Sequence, residues 1–180
     1  MKLVARKLPL CFAAAFCFAA VSGVVAQENK PKATSLKPVT TEFKNADGQS
    51  VGTATLSEAP HGVKIKLDIK GLPAGEHSIH IHQTAKCEAP DFKSAGPHFS
   101  PAGKMDHGSM PAGDIPDFTL IVASDGTAHV SVVAPNVSFG DQADSIFSSG
   151  GTSIVIHAVG APGASGSPAR IACAVVKRAE

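Results

Sequence analysis

An all-β fold, a sandwich or barrel of antiparallel strands, is predicted by three observations. Short apolar segments recur between turn signals, and no stretch of useful length carries a helical repeat. The clearest segment, Val63-Lys-Ile-Lys-Leu-Asp-Ile-Lys70, alternates apolar and charged residues without a break, as a strand does when one face is buried and the other wet. Glycine and proline are frequent, at 17 and 13 residues, which suits many short strands joined by turns.

Along the chain, Lys2, Arg6 and Lys7 precede an apolar run over 8–25, and Val24-Val-Ala26 offers a small-residue cleavage site. Residues 1–26 therefore read as a secretory signal peptide. A membrane anchor is the other reading, but the run is only marginally long enough and Pro9 and Ser22 weaken it. Cys11 and Cys17 lie within it. Residues 27–37 are polar and read as a flexible tail, leaving one domain over 38–180. The whole chain carries a net charge of +1, which turns slightly negative without the three leader cations. That argues against nucleic acid as a partner, and removal of the leader leaves no membrane segment.

The strands follow in order. Segments 40–44 and 51–56 flank Asn45-Ala-Asp-Gly48, a hairpin signal, and 63–70 is the alternating strand. Gly71-Leu-Pro-Ala-Gly75 then turns the chain into a strand over 75–83. Residues 83–117 have no periodicity and read as a long functional loop. Segments 118–123 and 128–133 are joined by Ser124-Asp-Gly126, and 152–159 and 171–177 complete about eight strands.

The chemistry gathers around Gly75-Glu-His-Ser-Ile-His-Ile-His-Gln83. On a strand, His80 and His82 share one face, about 7 Å apart at the backbone, while Ile79 and Ile81 face the core. His98 follows in a Gly-Pro turn able to swing a third imidazole to the same point, and His157 ends the apolar run Ser153-Ile-Val-Ile-His157. Four neutral imidazoles without a thiolate suit Cu(II). A three-histidine zinc hydrolase is a competing reading, but it leaves His157 and Arg170 unexplained. Cys87 and Cys173 remain once the leader is gone; in an exported chain they most simply pair, the alternative being a soft metal ligand.

Taken together, His80, His82, His98, His157, Gly113-Asp114, Ala169-Arg-Ile-Ala-Cys173 and Cys87 resemble the copper-zinc superoxide dismutase family, from about residue 44 to 177. The resemblance implies an eight-stranded Greek-key β-barrel with long metal-binding loops. It implies copper on His80, His82, His98 and His157, with His98 shared toward zinc and acting as a proton carrier. It implies that Arg170 attracts and binds the superoxide anion. His77 also matches a family histidine and reads as a structural hydrogen-bonding residue. Removal of the signal peptide leaves a periplasmic or secreted protein, with a homodimer allowed. His61 and His129 read as solvated positions.

The zinc half departs from the family pattern. Of its three histidines and one aspartate, His98, His107 and Asp114 have counterparts, but Pro111 stands where a histidine is expected. The loop 158–169 contains no charge, so the acidic link between the two metals and the usual guide for substrate are missing. Met105-Asp-His107-Gly-Ser-Met110 adds two thioethers beside a histidine, either loop filler or a soft Cu(I) site. The expected activity is dismutation of superoxide to dioxygen and hydrogen peroxide, with copper as cofactor and zinc incompletely held. The alternative is a non-catalytic copper-binding or copper-delivery protein on the same barrel.

Overall fold

The computed structural model describes residues 36–101, 110–158 and 168–178. The expected signal peptide, Met105, His107 and most of the 158–169 loop lie outside the described residues. Among those described are nine strands: β1 Val39–Asn45, β2 Ser50–Ala59, β3 Gly62–Ile69, β4 Gly75–His77, β5 Ile79–His82, β6 Leu120–Val122, β7 Ala128–Ala134, β8 Thr152–His157 and β9 Arg170–Val176.

All the strand pairs are antiparallel. Seven strands form one sheet in the order β5-β8-β9-β1-β2-β3-β7, and β4 pairs separately with β6. The small pair closes the barrel, because β4 leads directly into one edge strand, β5, and β6 leads directly into the other, β7. The expected all-β barrel is thus present. The one strand expected over 75–83 is two, broken at Ser78, because β4 pairs with β6 while β5 pairs with β8. Two other strands are shorter than expected, β6 covering only 120–122 and β8 ending at His157.

The alternation in β3 reads straight into packing. Val63, Ile65, Leu67 and Ile69 are fully buried, whereas Lys64, Lys66 and Asp68 face solvent. Ile79 and Ile81 join the same core with Phe43, Leu56, Phe99, Ile154 and Ile156. Each such side chain contributes about 1.5–3 kcal/mol on full burial. At the first hairpin, the Asn45 side chain accepts the N–H groups of Asp47 and Gln49.

Strand β8 is buried on both faces. Ile154 and Ile156 enter the barrel, while Val155 packs outward with Phe92, Ala95 and Cys173 beneath the long loop. Cys87 and Cys173 form a disulfide across a sequence separation of 86. It ties that loop to β9 and, on a chain-entropy basis, contributes about 4–5 kcal/mol.

Candidate metal centre

The same pleat that buries Ile79 and Ile81 turns His80 and His82 outward from the barrel. Strand β8 lies beside β5, with His80 opposite Val155 and His82 opposite Ser153, so His157 at its end arrives next to the pair. His98 is carried by the loop, which returns to make an isolated bridge with His82. One nitrogen of each of the four imidazoles lies within 4.8 Å of the others.

The ring separations describe their arrangement. His80–His82 and His98–His157 are farthest apart, at 6.4 and 6.3 Å. The remaining pairs, His80–His98, His98–His82, His82–His157 and His157–His80, stand at 4.2, 4.9, 5.5 and 5.0 Å. Two long diagonals and four shorter sides make a flattened ring of imidazoles in the order 80, 98, 82, 157. Tetragonal nitrogen coordination is what Cu(II) favours.

Outer contacts decide which nitrogen each ring presents. His82 donates from Nδ1 to the Gly96 carbonyl at 2.9 Å, and His157 from Nδ1 to the Pro168 carbonyl at 3.2 Å. Their Nε2 atoms consequently face each other, 3.4 Å apart. His98 Nδ1 contacts Asp114 Oδ1 at 2.6 Å, leaving its Nε2 inward. His80 Nδ1 is buried without any partner. An orphaned ring nitrogen and two opposed Nε2 atoms fit a cation placed among them.

Charge points the same way. Burial chiefly, with His98 and His157 assisting and Asp114 opposing, lowers the pKa of His80 to about 4. Burial brings His82 to about 3, the Gly96 carbonyl opposing and Arg170, His98 and His157 assisting. His157 is lowered chiefly by burial as well. These rings remain neutral near pH 7 and keep their lone pairs for a metal.

Arg170 begins β9 beside this cluster. Its Nη1 donates to the Phe92 carbonyl at 2.7 Å and its Nη2 to the Gly96 carbonyl at 2.8 Å. The Gly96 oxygen therefore holds both Arg170 and His82. His77 is buried, with its ring nitrogens 2.8 Å from the carbonyl oxygens of His157 and Pro73, matching the structural part expected of it. His129 lies on the surface against Asp68.

The segments carrying His98 and Asp114 meet each other and β5 at Ile81. Ile81 donates its N–H to Gly113 at 2.9 Å and accepts from Phe99 at 2.8 Å, and Gly113 donates to Phe99 at 2.9 Å. A Cβ on Gly113 would lie 2.1 Å from the Ile81 oxygen and 2.8 Å from the Phe99 nitrogen, so only glycine fits. Asp114 closes a turn by donating its N–H to Pro111. Of the expected zinc ligands, the described residues bring together His98 and Asp114; Pro111 offers no donor atom, and His107 lies outside the description. Met110 is 61% exposed. Sequence reasoning missed the carbonyls of Phe92 and Gly96 and the glycine junction; the Gly-Asp and Gly-Pro dipeptides were the only signals near them.

With this geometry in hand, the comparisons are specific. The profile described as copper/zinc superoxide dismutase (SODC) matches residues 50–176. The chain is 37% identical to the Cu-Zn superoxide dismutase of Caulobacter vibrioides over 154 residues, which is 77% of this chain and 84% of that protein. It is 37% identical to Cu-Zn superoxide dismutase 1 of Aquifex aeolicus over 176 residues, covering 91% and 96%. Among solved structures, a SOD-like protein from Bacillus subtilis aligns with a TM-score of 0.67 at 26% identity, over 77% of this chain and 99% of that one. The Cu/Zn superoxide dismutase from Brucella abortus aligns at 0.58 and 28%, over 78% and 100%.

Proposed function

The chain belongs to the copper/zinc superoxide dismutase family, and from that premise we propose that it is an exported dismutase working at a four-histidine copper site, with an incomplete zinc side. Its relatives make it an oxidoreductase of superoxide dismutase type. The observation that carries the copper reading is the flattened ring of four imidazoles, three of them held neutral by burial and neighbouring charge.

When bound there, copper supplies the alternating one-electron acceptor and donor by which one superoxide becomes dioxygen and a second becomes hydrogen peroxide. The chain's own residues do the rest. His80 presents Nδ1, and His82, His98 and His157 present Nε2. Arg170, a permanently charged fork, receives the anion beside the ring. His98 Nε2 would take up and deliver one of the two protons that hydrogen peroxide needs, the other coming from solvent, while Nδ1 stays tied to Asp114.

The disulfide fits an oxidising compartment, and we propose export to the periplasm through the leader over 1–26. Among the described residues no helix is long and apolar enough to cross a membrane. The test is superoxide turnover by protein loaded with one copper. A copper-delivery protein would bind the ion and turn over nothing, and the Met110 thioether exposed beside Pro111 is the observation that favours that reading.

A further inference from the structure

We propose that Phe92 is a positioning residue for Arg170: the burial of its ring behind the disulfide holds its backbone in the left-handed conformation and so aims its carbonyl oxygen at the guanidinium. The inference rests on the reading of Arg170 as the anion-binding group.

Phe92 has φ 53° and ψ 23°. Bulky residues rarely adopt positive φ, because the Cβ crowds the backbone. Among the described residues only Phe92, Asp117 and Ser149 do so without being glycine, and Phe92 is the one that is bulky and 1% exposed. It precedes the single helical turn Lys93–Ala95, and Gly96, with φ 78°, follows it. These two flanking residues supply the two carbonyls that grip Arg170. At Gly96 the residue type suits the conformation. At Phe92 it does not, so the ring must provide what the backbone lacks.

The ring packs with Ala95, Val155, Cys173 and Cys87, behind the Cys87–Cys173 bridge. The Phe92 N–H donates to Glu88, and its oxygen also accepts from Ala95. Packing and hydrogen bonds together over-determine the strained backbone, as such conformations need. The carbonyl left pointing outward makes a charge-assisted bond of 2.7 Å to Nη1, and a guanidinium fixed at both nitrogens presents its free edge in one orientation. Phe92 takes no part in the hydrogen bonds that orient the four imidazoles.

The test compares Phe92→Ala, Phe92→Leu, Arg170→Ala and the double Phe92→Ala/Arg170→Ala. Azide affinity is titrated on the Cu(II)-loaded proteins, the ionic-strength dependence of turnover is measured, and the Arg170 side-chain N–H signals are followed by NMR in metal-free protein. Phe92→Ala is expected to weaken azide roughly threefold to tenfold, flatten the salt dependence and broaden the Arg170 signals, with copper stoichiometry and electron paramagnetic resonance unchanged. Phe92→Leu should restore most of the affinity, and Phe92→Ala should add nothing in the Arg170→Ala background. Should the alanine variant not fold, Phe92→Val replaces it with the same expectation, since valine also underfills the cluster and disfavours positive φ. Full azide affinity in Phe92→Ala or its valine replacement, with loss in Arg170→Ala, overturns the proposal and leaves the Arg170 reading standing; so does an additive double mutant. No loss in Arg170→Ala overturns both.

Discussion

The two sides of the centre are built by different means. His80, His82 and His157 stand on strands whose opposite faces are core, so the packing of Ile79, Ile81 and Ile156 sets their positions. His98 and Asp114 stand on aperiodic loop, anchored by the burial of their neighbours Phe99 and Ile115 and by backbone hydrogen bonds to Ile81 and Gln83. The first side inherits its geometry from hydrophobic burial, spread over many side chains. The second depends on two buried neighbours and a few backbone bonds, so that its remaining side chains, Pro111 among them, can vary without disturbing the barrel.

The largest effect expected from breaking this contrast is on the strand side. His157→Ala or His80→Ala should abolish dismutase activity while the metal-free barrel still unfolds cooperatively in urea, losing about 1–3 kcal/mol where the buried His157 ring and its bond to Pro168 are removed. Near-normal turnover in either variant would refute the ligand assignment.

Gly113→Ala should act on the loop side through the backbone. A Cβ 2.1 Å from the Ile81 oxygen forces the junction apart, at a cost of about 2–4 kcal/mol, and His98 should lose its fixed orientation. Equilibrium unfolding and the copper spectrum together check this; an unchanged midpoint would mean the junction gives way more easily than its packing implies.

A smaller effect comes from pH. In metal-free protein His80 and His82 titrate near 4 and 3 in the folded state, below the ordinary value of about 6.5. Above pH 6.5 both folded and unfolded chains carry these rings neutral, and the stability is complete. As pH falls through 6.5 toward 4 and 3 the unfolded chain takes up protons that the folded one refuses, so stability declines. A His82→Ala variant should show a shallower decline over that window; an identical pH profile would contradict the burial of this ring.

Pro111→His should sharpen the comparison by adding a nitrogen to the loop side. Zinc should then raise the melting temperature more than it does in the natural protein, because metal binding adds to folding free energy. Calorimetry with and without zinc reads the difference. An equal gain in both proteins would mean that another residue completes the site.

What was legible in the sequence follows the same division. The strict alternation of 63–70 gave β3 its buried and wet faces, and the isoleucines between His80 and His82 placed the pair on the outer face. The apolar run before His157 marked the strand that carries it. Periodicity could not show the break at Ser78, because strand partners come from distant sequence. Nor could it show that Phe92 and Gly96 hold Arg170 through carbonyls, since backbone acceptors leave no trace in residue type and Phe92 sits in a conformation that its side chain disfavours. Cys87 and Cys173 could be paired by elimination, but not the apolar cluster that forms around them.

The measurement that bears most directly on the proposed function is superoxide turnover by pulse radiolysis on protein carrying one equivalent of copper and no zinc, with electron paramagnetic resonance on the same sample. A tetragonal four-nitrogen signal with rapid turnover, lost in His157→Ala, is the result expected of a dismutase that works at the four histidines without zinc. The same signal with turnover no faster than the His157→Ala variant would contradict it and leave a copper carrier built on a dismutase barrel.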